Sequence, residues 1–137
     1  MKKTTLVSRL TMLIGILIAI LGLFHSGATS ALLEEGALDT LSESQLSTFM
    51  FLHVTTGAAI FFSGVLNIYS SVFVMKDQPW SVNILLGNSV FLLIAGILGV
   101  VLLRTNLLVY ILLLLPFLQL IILMSNRREL PSGKSGK

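Results

Sequence analysis

Residues Leu10 to Phe24 read LTMLIGILIAILGLF, an unbroken run without a single charge. Together with Leu6 to Arg9 it makes an apolar segment, Leu6 to Phe24, close to the ~20 residues a helix needs to cross ~30 Å of hydrocarbon. Three more segments of this kind follow: Phe49 to Val74, Asn83 to Leu103 and Leu107 to Met124. Lipid offers backbone polar groups no partner, so a spanning chain is a helix or part of a closed barrel. Continuous apolar runs, rather than alternating ones of about ten residues, select helices. The pattern predicts an all-α integral membrane protein, an antiparallel four-helix bundle over residues 1–126, followed by a polar cytoplasmic tail over 127–137.

Composition points the same way. Of 137 residues, 55% are hydrophobic and 11% are charged, whereas a soluble domain carries about 25% charged residues. The length suits one domain. Cysteine is absent, which excludes disulfides, thiolate metal sites, iron–sulfur clusters and thiol catalysis. The chemistry of small four-helix disulfide-handling membrane enzymes is excluded with them.

Charge placement predicts orientation. In the four-span layout Lys2, Lys3, Arg9, Lys76, Arg127, Arg128, Lys134 and Lys137 fall on one side, and only Arg104 on the other. Basic residues mark the cytoplasmic side. Both termini and the Lys76 turn are therefore expected inside, and the 26–48 loop and Arg104 outside. That outer loop carries Glu34, Glu35, Asp39 and Glu43. The expected location is the inner (cytoplasmic) membrane of a bacterium. The chain offers no basic face for nucleic acid. Its expected partners are the lipid bilayer and a membrane protein or a second copy of the chain. The first segment also fits a cleaved signal peptide, with Lys2 and Lys3, an apolar stretch, then Ala28-Thr29-Ser30-Ala31. Its ordered small-residue pattern argues for a retained span.

Helices in lipid associate through small residues and interhelical hydrogen bonds. The first span places Ser8, Met12, Gly15, Ala19, Gly22 and Ser26 at alternating spacings of four and three, a single heptad seam. The second repeats this with His53, Gly57, Ile60, Gly64, Asn67 and Ser71, flanked by Thr56, Ser63 and Ser70. The third offers Asn88, Ala95 and Gly99 on one face. The short Arg104-Thr105-Asn106 turn makes the third and fourth spans neighbours. The fourth is leucine-rich, and Pro116 is expected to kink it or to leave a carbonyl free. Its outer face is expected to meet lipid or a partner protein. Between the spans, Ala31 to Leu38 reads as a short surface helix. Ser42 with Gln45 reads as a capping box, and Pro79-Trp80 as the inner turn with Trp80 at headgroup level.

Helical rise sorts the polar residues by depth. Asn67, Asn88 and Gln119 all fall roughly 4–9 Å to the cytoplasmic side of the midplane, a polar interior cluster that fits a hydrogen-bonded clamp or a headgroup site. His25 and His53 fall roughly 11–15 Å to the outer side, with Tyr110 at similar height. These three form the candidate ligand-binding set, because ionisable residues inside a span are functional candidates. Two histidines can ligate a haem axially or share a metal, with Glu34, Glu35 or Asp39 as a third ligand if the loop folds inward. They also fit a quinone headgroup, or a structural role in which His53 bonds to backbone or to Tyr110. Arg104 is placed to snorkel to the interface or to pair with a loop acid or lipid phosphate. No Asp, Glu, Lys or Arg lies deep in any span, which disfavours proton-coupled transport. No Ser–His–acid arrangement matches in depth, so no catalytic residue is assigned.

Leu23-Phe24-His25-Ser26-Gly27 closing the first helix and the His53, Gly57, Gly64 seam of the second, set in this span pattern from Leu6 to Met124, resemble small bacterial four-helix membrane proteins of the DoxX-like and similar families. Some DoxX-like proteins are subunits of quinone-linked oxidoreductases, so the resemblance implies a four-helix membrane fold and, in part of the family, a quinone partner. It carries no catalytic residue onto this chain. The resulting expectation is a non-enzymatic accessory, assembly or scaffold subunit with no cofactor and no metal. The alternative is a quinone- or amphiphile-binding, or haem- or metal-binding, redox module built on the outer histidines.

Overall fold

The protein, seen here as a computed structural model, is described over residues 3–36, 38–104 and 106–131. Lys2, Ala37, Thr105, Lys134, Lys137 and the rest of the tail from 132 onward lie outside the described residues, as does the side chain of Lys3. Four helices follow one another: α1 (Lys3–Glu34), α2 (Glu43–Met75), α3 (Pro79–Leu102) and α4 (Leu107–Ser125). All four are long and apolar enough to cross a membrane.

The helices run beyond the apolar segments because local signals, not hydropathy, end them. α1 continues through Ala31 to Glu34. The residues read as the start of a separate surface helix are thus its last turn. Gly36 stops it with a φ of 68°, a left-handed conformation that glycine adopts without a Cβ penalty. α2 starts ahead of Phe49 because Ser42 caps it. The Ser42 Oγ accepts from Gln45 N at 3.4 Å, and Ser42 N donates to Gln45 Oε1 at 3.0 Å. This is the reciprocal pair expected of a capping box. Asp77 carries a φ of 56° in the turn after α2, and Pro79, which has no N–H to lose, opens α3. Asn106 caps α4 by accepting from Leu108 N at 3.0 Å. α4 passes through Pro116 as one helix, with the proline buried.

The helices form a ring in which each packs against two neighbours, α1 on α2, α2 on α3, α3 on α4 and α4 on α1. One end of the ring, the terminal end, gathers Val7, Val74, Val82, Leu85, Leu123 and Leu130 into an apolar cluster. There Thr4 Oγ1 donates to Glu129 O at 3.2 Å. The other end, the loop end, carries the connection after α1 and the turn between α3 and α4.

The α1–α2 pair is the most intimate, for the steric reason its seams suggest. Ser8 Oγ donates to Ser71 O at 2.5 Å. A Cβ on Gly15 would sit 2.9 Å from Gly64 O, and Cβ atoms on Gly22, Gly57 and Gly64 would collide with the backbone of Phe61, the side chain of Ser26 and the backbone of Ala19. Small residues permit this approach, and the approach multiplies dispersion contacts. On the other side Gly96 lies against Leu113 and Gly99 against Val109. Gly96 falls outside the face read from Asn88, Ala95 and Gly99.

Polarity is inverted relative to a water-soluble bundle. Phe62 and Leu107 are 66% and 70% exposed, while Asn67 and Gln119 are fully buried.

Candidate functional site

The polar interior lies between two apolar clusters. Towards the terminal end is the cluster around Val74, Leu85 and Leu123. Towards the loop end is a second cluster, including Ile14, Ile18, Ile60, Leu92 and Leu115. Between them Asn67, Asn88 and Gln119 meet, as their common depth suggests. Asn88 Nδ2 donates to Asn67 Oδ1 at 2.8 Å and to Ser63 O at 2.9 Å. Asn67 Nδ2 donates to Gln119 Oε1 at 2.9 Å, and Gln119 Nε2 reaches Leu85 O at 3.4 Å. Hydroxyls extend the layer to α1: Thr11 Oγ1 lies 2.7 Å from Ser71 Oγ, which donates to Asn67 O at 2.7 Å. All four helices contribute, and the amides satisfy one another, which is what burial of such groups requires.

At the loop end His25 and His53 stack, with ring centroids 4.0 Å apart and planes inclined by 28°. Phe49 continues the stack on His53 at 5.4 Å. The α1–α2 seam underlies this: Ser26 lies beside Gly57, which puts its neighbour His25 within reach of His53, one turn along α2. Nε2 of His53 and Oγ1 of Thr29 are buried without a hydrogen-bond partner among the described residues. The geometry does not suit a haem between the two rings. Faces 4.0 Å apart leave no gap for a macrocycle, and bis-axial ligation needs both rings to aim a nitrogen at a shared centre. Among the described residues no group of three or more His, Asp or Glu is placed to hold a metal ion.

A cavity of about 340 Å³ opens beside this stack. His25 lies on its wall, with Thr55, Thr56 and Ala59 of α2, Ala95 of α3, and Asn106 at the start of α4. Ile60 and Leu92 line it too, and they stand one helical turn from Ser63 and Asn88, where the polar layer begins. Thr56 Oγ1 is occupied by Leu52 O of its own helix at 2.7 Å.

Tyr110 lies apart from this wall. Its hydroxyl donates to Arg104 O at 2.8 Å and ties the α3–α4 turn. Leu108, two residues earlier, faces the cavity, and two residues turn a helix by about 200°, so the tyrosine points outward. Arg104 is exposed, with no acidic partner among the described residues.

The arrangement offers hydrogen bonding and apolar contact but no activated nucleophile. Among the described residues no serine or threonine hydroxyl is bonded to a histidine. The residues that sequence reasoning passed over are Thr55, Ala59 and Asn106 on the cavity wall, and Phe49 on the stack. Ala59 carried the only available signal, a small side chain one turn from Thr56 and Ser63 beside the seam, and small side chains mark close contacts as readily as empty space. Comparison with protein families, curated proteins and solved structures finds no match to this chain.

Proposed function

We propose that the chain is a multi-pass integral membrane protein whose helices cross the bilayer as an antiparallel bundle, with both termini in the cytoplasm. In this reading it acts without catalysis, as an accessory, assembly or scaffold subunit. The observation that carries it is the inverted polarity. Large apolar side chains such as Phe62 and Leu107 cover the outside, while the amides are buried and bonded to one another. Such a surface is unfavourable in water and favourable in lipid. A scaffold role fits an amide layer whose members are already bonded to one another and to backbone carbonyls.

The absence of cysteine makes the orientation directly testable. Thr40→Cys and Asp77→Cys sit in the two opposite connections. A membrane-impermeant maleimide applied to intact cells should label the first and spare the second until the membrane is opened. The reverse pattern, or equal labelling, would overturn the topology. For the scaffold role, partners retained in mild detergent should persist when His25 and His53 are both replaced by Ala. Loss of those partners from a variant that remains monodisperse would count against it.

A further inference from the structure

We propose that the loop-end cavity binds one slim amphiphile, an apolar chain ended by a neutral hydroxyl or carbonyl oxygen, with His25 as the partner of that oxygen. The cavity exists because α2 and α3 change what they present to each other. Near the polar layer they are tied, Asn88 Nδ2 to Ser63 O at 2.9 Å. Further towards the loop end they offer Ala59 and Ala95, and the space these leave is not refilled. Its volume of about 340 Å³ lies at the lower end of the range for small-molecule sites, about 300–1,000 Å³. One chain fits, but not a two-chain lipid.

The polar groups define the head. His25 lines the wall, its ring is held by the stack on His53, and neither of its nitrogens bonds to a group among the described residues. A neutral imidazole offers one donor and one acceptor, which complements a hydroxyl and can donate to a carbonyl. Among the described residues neither Lys nor Arg lines the cavity, so no fixed positive charge there compensates a carboxylate or phosphate. The floor at Ile60 and Leu92 belongs to the apolar cluster, which suits the tail.

The test uses the full chain purified in detergent, so its result does not depend on topology or on a scaffold role. The probe is a medium-chain fatty alcohol with a diazirine in its tail, and the labelled residues are mapped by mass spectrometry. Saturable labelling around Ala59 and Ala95 is expected, displaced by the unlabelled alcohol more effectively than by the matching alkane. Ala59→Phe and Ala95→Phe, which fill the space from two different helices, should each abolish it. His25→Ala should weaken the alcohol roughly 2- to 10-fold, the loss expected for one neutral hydrogen bond, and leave the alkane unchanged. Should a variant aggregate, the alcohol–alkane comparison on the unaltered chain decides alone. Labelling that maps elsewhere, that survives both filling substitutions, or that is displaced equally by alkane and alcohol would overturn the proposal. The last result would mean that any acyl chain fills the cavity without recognition of its head.

Discussion

Asn67 donates to Gln119 across 2.9 Å, and this bond joins α2 to α4, diagonal members of the ring whose backbones make no close approach. Replacing either residue by Leu leaves one buried atom of its partner's amide unpaired, Gln119 Oε1 or Asn67 Nδ2, at a cost of about 1–3 kcal/mol. The double substitution Asn67→Leu with Gln119→Leu should cost less than the sum of the two. The coupling expected for one interhelical hydrogen bond in a membrane protein is about 0.6 kcal/mol, with a ceiling of ~1.7. Equilibrium unfolding of the four proteins in mixed micelles measures it. Strict additivity would mean that the two amides do not interact.

Two glycines should respond with opposite sign to the same change. A Cβ on Gly64 meets the backbone of Ala19, which cannot step aside, while a Cβ on Gly87 meets nothing within 4 Å. Gly64→Ala is expected to destabilise by about 1–3 kcal/mol through overpacking. Gly87→Ala should be neutral or stabilise by up to ~1 kcal/mol through helix propensity. Thermal unfolding followed by circular dichroism in one detergent compares them. Equal effects would place the α1–α2 seam elsewhere.

The histidine stack leads to an expected negative result. Protein purified from cells supplied with iron and a haem precursor should show no Soret absorption, because the rings lie face to face with centroids 4.0 Å apart. A stoichiometric Soret band that disappears on His53→Ala would show that the stack opens to admit a macrocycle.

Removal of the α2 cap should act locally. Ser42→Ala deletes the oxygen that accepts from Gln45 N, a loss of about 1 kcal/mol at a helix start. Hydrogen exchange at the first amides of α2 is expected to accelerate several-fold, with exchange around Asn67 unchanged. Uniform acceleration would imply that the cap supports the whole bundle.

Some of this was legible in the chain. Charge-free runs such as Leu10–Phe24 mark the helices because hydropathy is a sum over residues and needs no partner. The Ser42–Gln45 box was readable because both of its bonds lie within four residues. The amide layer was readable for a less obvious reason. Helical rise is regular enough that Asn67, Asn88 and Gln119 could be placed at one depth from residue counts alone, and burial then leaves such groups little choice but one another.

What was not legible depends on rotation and on space. Depth put Tyr110 level with the histidines, but depth carries no azimuth, and the tyrosine faces away to hold Arg104 O. The end of α1 escaped hydropathy because Gly36, a single backbone conformation, sets it. By itself, then, the sequence determined four long apolar helices, the Ser42 cap of α2 and the common level of the three amides, all of them local or additive properties. Only the tertiary structure decided that His25 stacks on His53, that Gly96 lies against Leu113 of α4, and that Ala59 and Ala95 border a cavity. Each of these is a statement about where two helices meet or part, and no single helix contains that information.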